Sequence, residues 1–477
     1  MRRELVILFL LIAAGIGLLG CAGRQHAEVQ TATVPAKSIE RHIEVERLVE
    51  GSQAEKLGIQ PGDVIVKYNG KKIETGSDLQ AAIGALASSE AKLVVRRGSE
   101  LIEMTVKPGK IGVYMRTVGK INKMPDAKII EGIEPLTYES GEVISFIGCI
   151  RRVLAHYGEQ HNYMYLMGIS GTAFRIHFWG GWCPSSADPG CGFNCSAALL
   201  RALGRKSEEY FMNTQFKEMP GALDETQMRQ KIIEGIDKGV PVIAIDIVQV
   251  PEWGIITGYQ NNKQDFFCRS YFDDGMEDYN IAEKTPWIAM TIGEKGEALS
   301  GEEAVRQSLA IAQKVGRTEK FDNYYSGTAA LETWIAALEN EASYATAAPG
   351  EPTSNAPDSC GANAWIYETF QANRAVAAEF MRTYAGVFGK VSNAALELAG
   401  IYENQAKLLE AGAENVVSPY MGDGRQWTQE LRNKEAATLK EVLKLEHEAL
   451  DLIETIMEVC EIEPYKDVTK PKEETTP

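Results

Sequence analysis

The side chains best equipped for chemistry in this chain are its cysteines, and Cys149 has the most favourable local setting. Phe146, Ile150, Val153, Leu154 and Tyr157 around it fall at helical spacing, and Gly158 stops the run. A thiol near the first turn of such a helix meets unpaired amides and the positive end of the helix field. Both favour the thiolate, which is the nucleophilic form. The competing reading of Cys149 is a small core residue or half of a disulfide. Cys183, Cys191 and Cys195 share one Gly- and Pro-bearing loop. Only His177 is near them as a fourth ligand, and the spacing lacks two Cys-x-x-Cys pairs, so a disulfide between two of the three is expected rather than a metal. Cys360 also stands at a helix start, before Gly361, but no strand with a base partner follows it.

The elements that must position these groups fall into three blocks, giving an α+β multidomain chain. Residues 43–116 read as a small β-rich domain: Val64, Ile65 and Val66 form a strand, Asn69-Gly70 turns it, a short helix opens near Ser77, and 91–106 make a hairpin. Residues 136–295 begin with the Cys149 helix, continue through a strand read from 172 to 179, and end in the strands 242–248, 253–259 and 266–272. Helices first and an antiparallel sheet afterwards is an α+β order. From 298 to 460 amphipathic helical runs imply a bundle, and 461–477 is polar enough to read as a flexible tail. With 49 Lys and Arg against 66 Asp and Glu, the net charge of -17 opposes a grip on nucleic acid. No Gly-x-Gly-x-x-Gly or phosphate loop is present to hold a nucleotide, and no cofactor is called for.

The stretch from Gly51 to Ile65, GSQAEKLGIQPGDVI, resembles bacterial PDZ domains. The resemblance implies a domain that binds a peptide as an added strand, with backbone amides receiving the terminal carboxylate. The family's Gly-rich carboxylate loop has no copy before Ile43. Ile111, Gly112, Val113 and Tyr114 have the right small-then-apolar texture and would serve in a rearranged chain order.

The Cys149 helix, the turn Ser170-Gly171-Thr172-Ala173-Phe174-Arg175 and the strands PVIAIDI and WGIITGY resemble the papain-like fold of C39-type proteins and of the N-terminal domain of butirosin biosynthesis protein H. The resemblance implies a cysteine hydrolase or acyltransferase acting on a peptide, amide or thioester, with Cys149 as nucleophile. Its basic partner would stand at Glu252, a departure, because a carboxylate is a poor base toward a thiol. His177 is the first histidine to test as a substitute, with His156 and His161 behind it, and Asp273 or Asp274 would orient the partner. The alternative is a non-catalytic, peptide-binding or scaffolding envelope protein with a degenerate cysteine-peptidase-like domain.

At the N-terminus, Arg2 and Arg3 precede an apolar run ending in Leu18-Leu19-Gly20-Cys21, which resembles a bacterial lipobox. It implies a signal peptide at 1–20, a lipidated leader at 21–42 and a membrane partner engaged through a lipid on Cys21. The protein would then be an extracytoplasmic lipoprotein, with Ala22 favouring an outer membrane. Of eight cysteines, seven would remain in an oxidising compartment, and an odd count leaves at least one thiol unpaired.

Overall fold

The computed structural model describes residues 39–466, apart from 50, 75, 86–89, 110, 122, 218, 274–277, 342–355 and 420–424. The signal peptide, Cys21, most of the leader, Asp274 and residues 467–477 lie outside the described residues.

The first domain runs β1 (Ile39–Leu48), α1 (Gln53–Lys56), β2 (Val64–Tyr68), β3 (Lys71–Lys72), α2 (Gly76–Gly84), β4 (Ala91–Arg97), β5 (Glu100–Val106) and β6 (Val113–Ile121). Its sheet has the order β5-β4-β2-β1-β6, with β3 paired to β2. Asn69 and Gly70 both take positive φ between the paired Tyr68 and Lys71, the backbone a two-residue hairpin needs. Alternation along β4 sends Ala91, Leu93 and Val95 into a core with Ile43, Val45 and Ile65. Asp63 is buried in that domain, and Arg97 grips both its oxygens at 2.7 Å. Burial raises the Asp63 carboxyl, but the Arg97 bonds and charge win and hold it below its ordinary value.

The next region contains β7 (Lys128–Ile129), α3 (Ser145–His156), α4 (Tyr163–Ile169), β8 (His177–Phe178), α5 (Cys195–Ala202), β9 (Arg205–Phe211), α6 (Glu225–Asp237), β10 (Val242–Ile245), β11 (Trp253–Gln260), β12 (Asp265–Arg269), β13 (Asn280–Ile281) and β14 (Ile288–Lys295). An antiparallel sheet of order β13-β12-β11-β10-β14-β9, with β7 on β11, packs against α3. The expected strand at 172–179 is mostly absent. Thr172–Phe174 form a 3-10 turn, and only His177–Phe178 belong to a strand.

That short β8 leaves the main sheet and pairs with β16 (Tyr324–Ser326), which is joined to β15 (Lys320–Phe321). The remaining helices are α7 (Gly301–Arg317), α8 (Gly327–Glu339), α9 (Ala356–Tyr384), α10 (Ser392–Gly412) and α11 (Gln429–Val459). Ser300 caps α7 in a reciprocal box with Glu303. The α+β and helical regions share one apolar core, in which Phe174, Leu309, Phe380 and Leu450 sit with the α3 and β10–β12 residues. Gly168 allows this, because a Cβ there would stand 2.1 Å from the Phe380 ring. Residues 461–466, expected in a flexible tail, instead start by packing on the body: the Tyr465 ring meets Phe193 at 5.6 Å. Among the described residues no helix is long and apolar enough to cross a membrane.

Candidate functional site

Cys149 is the fifth residue of α3 rather than a first-turn residue, and it is wholly buried in the shared core. Burial pushes its thiol well above the ordinary value; Arg152 pulls it down, while Glu252 and Glu142 push it further up. The expected thiolate is therefore corrected: desolvation outweighs the helix field once the sulfur sits a turn inside the helix. Arg152, the nearby cation, is itself committed to Glu142 and to Pro135 O at 2.7 Å.

The residue at the start of α3 is Ser145, and its hydroxyl donates to Glu252 Oε1. Tyr138 Oη donates to Glu252 Oε2 at 2.7 Å, and the Trp253 amide donates to Oε1 at 3.1 Å. Glu252 is half-buried at the entry to β11. Burial raises its carboxyl above the ordinary range against the pull of Ser145, Tyr138 and Trp253, and Asp188 raises it further. Asp188 reaches the same cluster by accepting from Trp253 Nε1 at 2.6 Å. Gly148 makes room beside it, because a Cβ there would lie 2.2 Å from the Tyr271 hydroxyl, whose ring meets that of Tyr138 at 4.5 Å in a tilted contact. Ser145, Tyr138 and the Trp253 amide thus converge as donors on one carboxylate, with Ser145 itself buried. Sequence reading found Glu252 but missed Ser145; the available signal was a serine beside Ile144 just before the helical apolar period.

The other expected partners stand elsewhere. His177 is buried in β8, where its Nε2 accepts from Phe193 N at 3.1 Å and its ring stacks on Phe321 at 5.8 Å. Burial, then the Arg175 charge, holds it well below ordinary imidazole, so it is neutral and does not serve Cys149. Asp273 is buried after β12 and accepts from Ser270 N, Ser270 Oγ and Asn280 Nδ2, closing a turn rather than orienting a histidine. Burial raises it to about 6 against those donors. His161 faces Glu159 at 3.5 Å, and His156 lies beside Tyr157.

Cys149, Cys183, Cys191, Cys195 and Cys460 are free thiols, which corrects the disulfide expected between two of Cys183, Cys191 and Cys195. Ser185 separates two of them: its hydroxyl donates to Cys183 Sγ at 2.9 Å and meets Tyr324 Oη at 2.8 Å, and Tyr324 bonds Cys191. Cys360 is buried in α9 and donates to Val417 O at 3.4 Å. Among the described residues no cluster of His, Cys, Asp and Glu has the makings of a metal site.

Strand β6 is the second setting for function. It pairs with β1 from Ile39↔Ile121 to Leu48↔Val113, and as the last strand of its sheet it has no partner on its other edge among the described residues. The turn entering it is built around Gly112, whose φ is +86° and where a Cβ would fall 2.3 Å from Ser52 Cβ. Ile111 O and Gly112 O are fixed by the amides of Ala54 and Val49. Ile111 is buried, Val113 and Met115 pack partly on the core, and Tyr114 is 45% exposed with the Arg47 guanidinium 3.5 Å over its ring. Helix α2 contacts the same strand.

Residues 44–97 match the PDZ domain family. Similar stretches occur in a probable periplasmic serine endoprotease of the DegP type from Hahella chejuensis, 41% identical over 14% of this chain and 14% of that protein. The serine protease HTRA3 of Rattus norvegicus is 36% identical over 17% of each chain. A probable CtpA-like serine protease of Staphylococcus haemolyticus is 36% identical over 16% of this chain and 15% of that protein. The chain thus spans less than a fifth of the length of these curated relatives. A PDZ domain binds peptide by strand addition; among the described residues β5 and β6 both end this sheet, and β6 is contacted by α2.

Proposed function

We propose that this chain is a peptide-binding protein that takes an extended segment, ending in a carboxylate, along the outer edge of β6 and against α2. The observation that carries the reading is the position of the Ile111–Tyr114 turn: it follows the hairpin in sequence yet opens the unpaired edge strand. Backbone groups along β6 would give affinity, and the partly buried Val113 and Met115 would give side-chain preference. Fluorescence anisotropy of the full chain against a peptide library, each sequence with a free and an amidated C-terminus, tests this. Tighter binding of the free-carboxylate forms is expected; equal weak binding of both forms contradicts the proposal. The leader would hold the protein on the outer face of a membrane through a lipid on Cys21, so an alkyne fatty acid should label the native chain and not Cys21→Ser.

A second reading concerns the α+β region that follows the PDZ domain. The contact of Ser145 with Glu252 favours a papain-like domain in which serine, not cysteine, occupies the reactive place. Its chemistry would be acyl transfer: the Ser145 proton passes to Glu252 as the oxygen bonds an acyl carbon, and Glu252 returns that proton to the leaving group. A fluorophosphonate probe followed by intact mass tests it. A single adduct lost in Ser145→Ala is expected, and no adduct up to pH 9 contradicts this second reading and leaves the Ser145–Glu252 contact as a structural one.

A further inference from the structure

On the face of the PDZ sheet turned away from its core, β1 and β6 hold an arginine against an aromatic ring. A bulge falls between Val45 and Arg47 of β1, where Glu46 is the extra residue, and it brings Arg47 into register with Tyr114 of β6. The Arg47 guanidinium lies 3.5 Å over the Tyr114 ring, and both residues are exposed. Glu46 is exposed next to Arg47 in sequence, and Glu44 stands opposite Arg116 in the strand register. Among the described residues no ion pair joins the Arg47 guanidinium to a carboxylate. Contact with the ring face limits how the long side chain moves, while its N–H groups stay open to an acceptor.

Strand addition decides which residue of a bound peptide meets this pair. Side chains alternate along β6: Val113 and Met115 pack partly on the core, and Tyr114 between them is on the other face. Helix α2 lies on the core side, where it supplies Leu79 and Ala82. A terminal carboxylate received at the turn that opens β6 places the last side chain of the peptide beside Val113, on the α2 side. Alternation then turns the penultimate side chain to the opposite face, where its cross-strand neighbour, at about 5 Å, is Tyr114 under Arg47.

Resting on the peptide-binding reading of β6, we propose that the bound peptide carries an acidic residue next to its last one, and that Arg47, braced on Tyr114, selects it. A glutamate or aspartate there accepts from the guanidinium. An amide keeps the shape without the charge, and a lysine meets like charge. The net charge of -17 opposes an acidic peptide as a whole, so acidity gains affinity only at the position that Arg47 reaches.

The test starts from the free-carboxylate peptide that binds the full chain most tightly in the anisotropy library, and varies its penultimate residue among Glu, Gln and Lys at fixed salt. Glu is expected to bind about threefold to fivefold more tightly than Gln, the scale of one exposed ion pair, and Lys more weakly than either. Glu moved to the third residue from the end should bring no gain. Arg47→Glu, a change at an exposed position whose folding circular dichroism checks, should invert the order and place Lys first. Equal affinities for the three peptides, an equal gain from Glu at the third residue, or the native order kept in Arg47→Glu overturns the acidic preference and leaves peptide binding at β6 standing. If no peptide binds more tightly with a free than with an amidated C-terminus, both fall.

Discussion

Ser145 donates its hydroxyl hydrogen bond to Glu252 one helical turn before Cys149, so the carboxylate engages the first residue of α3 while the thiol lies in the core behind it. The relationship assigns separate roles to two neighbouring residues of one helix. It also sets what chemistry each can be asked to show.

For the thiol, an electrophilic probe should leave Cys149 unlabelled in the folded protein at neutral pH. Desolvation holds the thiol well above its ordinary value, and no histidine is among the groups that shift it. Labelling with iodoacetamide at pH 7 and peptide mapping checks this. Cys149→Ala, which removes one buried sulfur, should cost about 1–3 kcal/mol of stability as a small-cavity change.

Glu435 in α11 should make stability fall with rising pH. It is wholly buried, receives Asn363 Nδ2 at 3.1 Å, and burial raises it to about 8 from 4.5 despite its donors Asn363 and Trp427. A raised carboxyl means the folded state binds more protons, so the contribution is full below pH 4.5 and is lost as pH climbs toward 8. Glu435→Gln removes that loss and should be more stable than the native chain at pH 7, by about 3 kcal/mol. Urea titrations at pH 4.5 and 7 compare them; a variant equally stable at both, beside a native chain weaker at pH 7, is the expected pattern.

Arg374 should join two regions that sequence reading separates. It is wholly buried, donates to Glu446 Oε1 at 2.9 Å and Gln405 Oε1 at 2.7 Å in the helical region, and reaches Ala173 O at 3.0 Å in the α+β region. Arg374→Met strands the Glu446 carboxylate and should cost about 3–5 kcal/mol. Because the core is shared, calorimetry should show residues 128–460 melting in one shifted transition. Two transitions, with only the later-sequence helices weakened, would mean separate domains.

The first domain carries its own ion pair, so Asp63→Asn should act locally. Arg97 then loses a buried charged partner, and the domain should weaken by about 2–4 kcal/mol while the larger body melts unchanged. Hydrogen exchange resolved by peptide distinguishes the two.

Local chemistry made the first domain legible. Asn69-Gly70, Pro61-Gly62 and the alternation of β4 each dictate backbone locally. The strand expected at 172–179 failed because Gly171 takes φ +80° and starts a 3-10 turn, so alternation there reflects burial on every side. Strand β9, RKSEEYF, was invisible because it is a charged edge strand with mostly exposed side chains. The shared core was invisible too, since contacts such as Gly168 with Phe380 join positions far apart in sequence. Glu252 was found through a resemblance. Its true partner depended on where α3 begins, a boundary that apolar spacing fixes only to within a turn.

The most direct test of the central claim is peptide affinity at the β6 edge, measured by anisotropy on the full chain and on Gly112→Ala. The added methyl would meet Ser52 and strain a positive-φ turn, moving the amides that open β6. The account requires carboxylate-dependent binding by the native chain and a loss of at least about tenfold in Gly112→Ala, about 1.4 kcal/mol, with circular dichroism unchanged. Binding that is indifferent to both the free carboxylate and Gly112 would contradict it.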